Sequence, residues 1–102
     1  MLERLRQVIE ERAAAGPAMS YTAKLVANPP YAARKFGEEA VELVVAALAQ
    51  DRTETVSEAA DVVFHLLVLL HTRDIQWGEV EAELTRREGM SGLVEKASRK
   101  ES

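Results

Sequence analysis

Apolar residues recur at intervals of three and four along nearly the whole chain, and no segment sustains the alternation and β-branched enrichment of a strand. The pattern therefore predicts helices throughout and no sheet. Leu2, Leu5, Val8 and Ile9 mark one face of an opening helix, which the Gly16-Pro17 pair ends, because proline disfavours helix in the residue before it. Ser20 is a suitable N-cap for a short helix through Ala27. Asn28, with Pro29 at the first helical position, then starts a long helix to about Gln50. After a short connection at Asp51-Arg52, Thr53 or Thr55 is expected to cap a second long helix to about His71. A last helix is expected from about Trp77 to Arg87, stopped by Gly89. The expectation is an all-α bundle of about four to five helices over residues 1–89, followed by a flexible tail over 90–102.

The stretch from Val62 to Leu70 is apolar nearly all round the helix, His65 excepted. Such a segment calls for burial on every side, which three or four short neighbours do not provide. A homodimer with its core completed across the two-fold is the expected solution.

Composition narrows the chemistry. The 102 residues carry 13 Lys+Arg against 17 Asp+Glu and no Cys. Thiolate zinc sites, disulfides and cysteine nucleophiles are thereby excluded, and any metal must be held by oxygen or imidazole. A net charge of -4 and 5% aromatic residues argue against a nucleic-acid groove. The amino terminus is charged from Glu3 onward, unlike a secretory signal, and no apolar run approaches the ~20 residues of a membrane span. The expected location is cytoplasmic, with neither membrane nor nucleic acid as partner.

One constellation stands out. On the helix that Pro29 opens, Glu39 and Glu42 lie about 60° apart, with Glu38 about 40° beyond Glu42, so three carboxylates share a face. On the next long helix Glu58, Asp61 and His65 form the only polar line through an apolar stretch. Antiparallel pairing would bring Glu39 and Glu42 opposite Glu58 and Asp61. Two carboxylates about 5 Å apart repel by about 3 kcal/mol at an effective dielectric near 20, and four contain several such pairs. A divalent cation resolves that repulsion, and an all-carboxylate set selects hard ions, Mg²⁺ first and Mn²⁺ second. Arg34 and Lys35 precede the acids near a helix N-terminus, where the macrodipole disfavours cations. Their i, i+4 pairing with Glu38 and Glu39 is the weaker, cation-first orientation, so contact with an anionic substrate is the better account of them. Lys24 joins them as a phosphate-binding candidate. His65 fits a satisfied core histidine and a substrate contact equally well.

Gly37-Glu38-Glu39-Ala40-Val41-Glu42 followed by Glu58-Ala59-Ala60-Asp61 resembles the EExxE and ExxD signature of the all-α, MazG-type nucleoside triphosphate pyrophosphohydrolases. Ser20-Tyr21-Thr22-Ala23-Lys24-Leu25, Arg34-Lys35-Phe36, His65-Leu66-Leu67-Val68-Leu69-Leu70 and the Arg86 to Arg99 region narrow the resemblance to the phosphoribosyl-ATP pyrophosphatase family over nearly the whole chain. One local departure is Asn28-Pro29-Pro30-Tyr31, where that family has a more charged, Gly-containing linker. The resemblance implies Mg²⁺-dependent hydrolysis of phosphoribosyl-ATP to phosphoribosyl-AMP and pyrophosphate, the second step of histidine biosynthesis. It also implies Glu39, Glu42, Glu58 and Asp61 as metal ligands. Glu38 is the candidate general base, and Lys24, Arg34, Lys35 and His65, with Lys96 and Arg99 of the tail, are the candidate substrate contacts. A house-cleaning nucleotide pyrophosphatase would share this metal site. A non-catalytic dimeric helical module would leave the acids as solvated surface, and a di-iron bundle is disfavoured because its Glu-x-x-His pairs are missing.

Overall fold

A computed structural model of the chain describes residues 1–89. They form five helices and no strand: α1 (Leu2–Ala14), α2 (Tyr21–Val26), α3 (Pro29–Leu48), α4 (Arg52–His71) and α5 (Trp77–Arg87). The residues from 90 onward, including Lys96 and Arg99, lie outside the described part.

The boundaries follow from local chemistry. After α1, Gly16 takes φ 93°, which L side chains rarely adopt, and the chain reverses there. Ser20 then serves two helices. Its hydroxyl donates to the Arg12 carbonyl at the end of α1 (3.0 Å) and accepts from the Ala23 N–H in the first turn of α2 (2.9 Å). Asn28 caps α3 through the Tyr31 N–H at 3.3 Å, with prolines filling positions that need no donor. α3 ends at Leu48, two residues before the expected limit, in a Schellman motif. The Gln50 N–H reaches the Ala47 carbonyl and the Asp51 N–H reaches that of Ala46, with Gln50 at φ 62°.

Two expectations are corrected. Neither Thr53 nor Thr55 caps α4. Asp51 does, accepting from the Glu54 N–H at 3.0 Å, while the Thr55 hydroxyl donates back to the Asp51 carbonyl. The carboxylate already in the turn is the stronger acceptor and pre-empts the threonines. Gly89 is not a left-handed stop either: α5 closes on Glu88 in right-handed helical geometry, and Gly16 is the only described glycine with positive φ. At its other end α5 has a capping box between Gln76 and Glu79.

α3 and α4 form an antiparallel hairpin, the most extensive helix pairing in the molecule. The core gathers at one end of it. Ile9 of α1, Leu25 of α2, Ala32 of α3, and Leu67 and Val68 of α4 are buried together, with Leu2, Leu5, Phe64, Leu70 and Trp77 packed around them. Within the Val62 to Leu70 segment, His65, Leu67 and Val68 are buried by the chain itself, whereas Val63 is exposed and the remaining residues are only partly covered. A larger uncovered apolar surface lies at the tip half of the hairpin. Val41, Val44, Val45 and Leu48 on α3 and Val56 on α4 are all exposed, Val45 by 61% and Leu48 by 78%. α1 and α2 pack against the opposite end. No helix of the described residues is long and apolar enough to cross a membrane.

The capping assignment has a direct test. Asp51→Ala removes the side-chain acceptor and is expected to lower stability by about 1 kcal/mol, whereas exposed Thr53→Ala stays within about 0.5 kcal/mol of wild type. Chemical denaturation of both variants checks this, and the reverse ranking would return the cap to Thr53.

Candidate active site

The hairpin register brings the acids together. One turn along α3 from Glu39 to Glu42 corresponds to one turn back along α4 from Asp61 to Glu58. Carboxylate oxygens of Glu39, Glu58 and Asp61 lie within 4.8 Å of one another. Glu42 completes the group through side-chain hydrogen bonding to both Glu39 and Glu58. Each carboxyl of the group thereby favours a proton on its neighbours.

The electrostatics carry the same message. Desolvation, followed by the hydrogen bond and charge of Glu42 and the charges of Asp61 and Glu39, pushes Glu58 from the ordinary 4.5 up to about 7. Glu39 is raised for the same reasons, desolvation first, against a small opposing effect of His65. Glu58 Oε2 is buried without a hydrogen-bond partner. A carboxylate oxygen in that position is costly unless a proton or a cation meets it. Three convergent carboxylates, one of them with an orphaned oxygen, fit a hard divalent cation, and Glu39, Glu58 and Asp61, with Glu42 beside them, are the residues that could hold it.

The other candidates occupy a rim. Glu38 faces the cations and not the acidic group: it lies 3.5 Å from both Arg34 and Lys35. Lys35 bridges the two populations, reaching Glu38 at 3.5 Å and Glu39 at 4.0 Å. Arg34 is exposed and lies over the Tyr31 ring, 5.0 Å from its centroid. Lys24 is exposed in the last turn of α2. His65 is 7% exposed, and both its ring nitrogens are engaged within the protein, Nε2 with Tyr21 Oη at 3.1 Å and Nδ1 with the Asp61 carbonyl at 2.8 Å. Tyr21 is a residue that the pattern of the sequence does not single out. The available signal was an aromatic residue at the first position of a capped helix, and its partner is 44 positions away. Beside the acids, a mainly apolar groove of about 390 Å³ runs between Val41, Val45, Ala46 and Ala49, with Glu42, Glu54 and Glu58 along it.

The raised Glu58 value has a thermodynamic consequence. The folded chain holds this proton more tightly than the unfolded chain, where a glutamate titrates near about 4.3. Its stabilising contribution is therefore complete below that value and lost as pH rises through about 7. In the presence of chelator, thermal unfolding between pH 5 and 8 is expected to show stability falling with pH. Glu58→Gln, which cannot ionise, should flatten that slope and unfold at a higher temperature than wild type at pH 8. A variant with an unchanged slope would remove Glu58 as its source.

The family model described as Phosphoribosyl-ATP pyrophosphohydrolase matches residues 2–88, a span that includes all five helices and all four clustered acids. A relative named phosphoribosyl-ATP pyrophosphatase from Cereibacter sphaeroides is 55% identical over 100 residues, covering 97% of each chain. Another from Paracoccus denitrificans is 54% identical over 97% of this chain and 93% of its own, and a phosphoribosyl-ATP pyrophosphatase 1 from Rhodopseudomonas palustris is 54% identical over 97% and 94%. With its helical hairpin, its converging acids and near-complete coverage in these matches, the chain belongs to the phosphoribosyl-ATP pyrophosphohydrolase family.

Proposed function

We propose that this protein is a Mg²⁺-dependent hydrolase that splits the α-β phosphoanhydride of phosphoribosyl-ATP, giving phosphoribosyl-AMP and pyrophosphate in a cytoplasmic pathway to histidine. The observation that carries this reading is the convergence of Glu39, Glu58 and Asp61, with Glu42 hydrogen-bonded to the group, in a chain of this family. Mg²⁺, with Mn²⁺ as its substitute, would be held by these four acids. When bound, it supplies charge neutralisation for the triphosphate oxygens and makes water a better nucleophile at neutral pH.

The remaining work falls to side chains. Phosphoryl transfer asks little covalent chemistry of a protein and much positioning. Lys35, between Glu38 and Glu39, is the cation best situated to meet a phosphate beside the acids, with Arg34 and Lys24 further out on the rim. Glu38 accepts a proton from the attacking water once substrate draws Arg34 and Lys35 away from it. Lys96 and Arg99 are further phosphate contacts in this proposal.

A second copy of the chain covers the exposed apolar tip of the hairpin. Val41, Val44, Val45, Leu48 and Val56 form a patch beside the acidic site that no described helix reaches. An isologous pairing of two such tips buries both patches with the same residues on each side.

Pyrophosphate release from phosphoribosyl-ATP, measured beside a panel of common and damaged nucleoside triphosphates, tests the activity. Turnover is expected with Mg²⁺ or Mn²⁺, to be abolished by chelator, and to favour phosphoribosyl-ATP. Glu39→Gln, Glu42→Gln, Glu58→Gln and Asp61→Asn should each lower kcat/KM by about 100-fold or more. Preference for a free nucleotide would point to a house-cleaning enzyme, and near-normal turnover in three of the four variants would dismiss the site.

For assembly, light scattering at micromolar concentration is expected to give at least twice the 11.3 kDa chain mass. Val45→Glu, which sets a charge in the middle of the patch, should return the monomer; a wild-type monomer would contradict the second copy.

A further inference from the structure

α2 is six residues long and stands against the hairpin beside the acids. Its first residue, Tyr21, makes a polar contact across this junction. The Tyr21 hydroxyl lies 3.1 Å from His65 Nε2, and His65 Nδ1 lies 2.8 Å from the backbone carbonyl of Asp61, one turn earlier on α4. A carbonyl oxygen only accepts, so Nδ1 carries the hydrogen. In the neutral ring Nε2 is then an acceptor and the tyrosine hydroxyl is its donor. The chain of bonds therefore has one direction, from Tyr21 O–H to His65 Nε2 and from His65 Nδ1–H to the Asp61 carbonyl.

The ring between them has little freedom. Phe64 packs edge-on to it at 5.1 Å and 73°, and Tyr21 does so at 6.1 Å and 76°. His65 is buried, whereas Tyr21 is 45% exposed. With both nitrogens engaged within the protein, His65 resembles the satisfied core histidine, one of the two roles its sequence position left open. It ties the turn of α4 that bears Asp61 to the start of α2. That start is itself fixed to the end of α1 through Ser20, whose hydroxyl bonds both helices.

We propose that Tyr21 is a positioning residue for the acidic site: through His65 it holds the Asp61 turn of α4 in place and sets the distance between that turn and α2, with Lys24 at its end. The proposal rests on the hydrolase reading above. Without the hydroxyl, Nε2 loses its donor while the Nδ1–H bond to the Asp61 carbonyl remains, so the ring, and with it the Asp61 turn, is no longer tied to α2.

Nitrogen NMR of the imidazole rings in the wild-type, full-length protein, with His71 identified by substitution, is expected to find His65 protonated at Nδ1 when neutral. Tyr21→Phe keeps the ring and removes the hydroxyl, so the neutral His65 ring should stay protonated at Nδ1 while its Nε2 resonance moves to that of an imidazole nitrogen with no donor facing it. The same variant should lose about tenfold in kcat on phosphoribosyl-ATP, with KM within about twofold of wild type. The His65→Asn variant should lose a similar amount, and adding Tyr21→Phe to it should cost nothing further, because both changes break one chain. Calorimetric Mn²⁺ titration should find weaker binding in Tyr21→Phe than in wild type. A wild-type His65 protonated at Nε2 would overturn the proposal, as would wild-type kcat in Tyr21→Phe or losses that multiply in the double variant. Failure of the wild type to hydrolyse phosphoribosyl-ATP would fall on the hydrolase reading, leaving the tautomer and Mn²⁺ measurements to decide the role of Tyr21.

Discussion

The structure is organised around the repulsion of carboxylates that the α3–α4 hairpin forces into one small volume. Glu39, Glu58 and Asp61 offer oxygens within 4.8 Å of one another, and Glu42 adds a fourth group. At such separations each ionised pair is unfavourable by about 3 kcal/mol at an effective dielectric near 20. A chain selected for stability alone would not assemble this arrangement. The crowding raises the acids' hold on their protons, with Glu58 pushed up to about 7 and Glu39 raised as well.

Holding them together requires a firm hairpin, and the chain supplies that from one end. Ile9, Leu25, Ala32, Leu67 and Val68 close a compact core where α1, α2 and the two long helices meet. At the opposite end the Schellman turn at Gln50 and the Asp51 cap fix the reversal through local bonds alone. The acids lie between these anchors. Beyond them, toward the tip, the exposed valines of α3 and Val56 of α4 remain uncovered by the described helices. The site thus stands at the boundary between the part of the hairpin that its own chain buries and the part it does not.

Around the acids, short-range and long-range interactions divide the labour. Arg34, Lys35, Glu38 and Glu39 interact within a single helix, at spacings of three and four, through exposed or half-exposed pairs that contribute little to stability. The Tyr21–His65 bond is of the other kind, joining separate helices through a buried ring.

The sequence by itself determined what depends on neighbours within one or two turns. The helical periods, the caps at Ser20 and Asn28, the break at Gly16-Pro17 and the shared face of Glu39 and Glu42 are all properties of local spacing. It also determined which acids converge, because a connection as short as the one between the two long helices leaves them no option but antiparallel pairing in nearly fixed register. Where several local acceptors competed, as Asp51 did with Thr53 and Thr55, spacing alone did not rank them. Tertiary structure decided which way equivalent side chains turn. His65 turns inward to Tyr21, 44 positions away in the chain. It also decided that Leu67 and Val68 are buried by their own chain while Val41, Val44, Val45 and Leu48 are left exposed. Periodicity gives the angle of a residue about its own helix axis; which neighbour occupies that angle is set by how far along the hairpin the other helices reach.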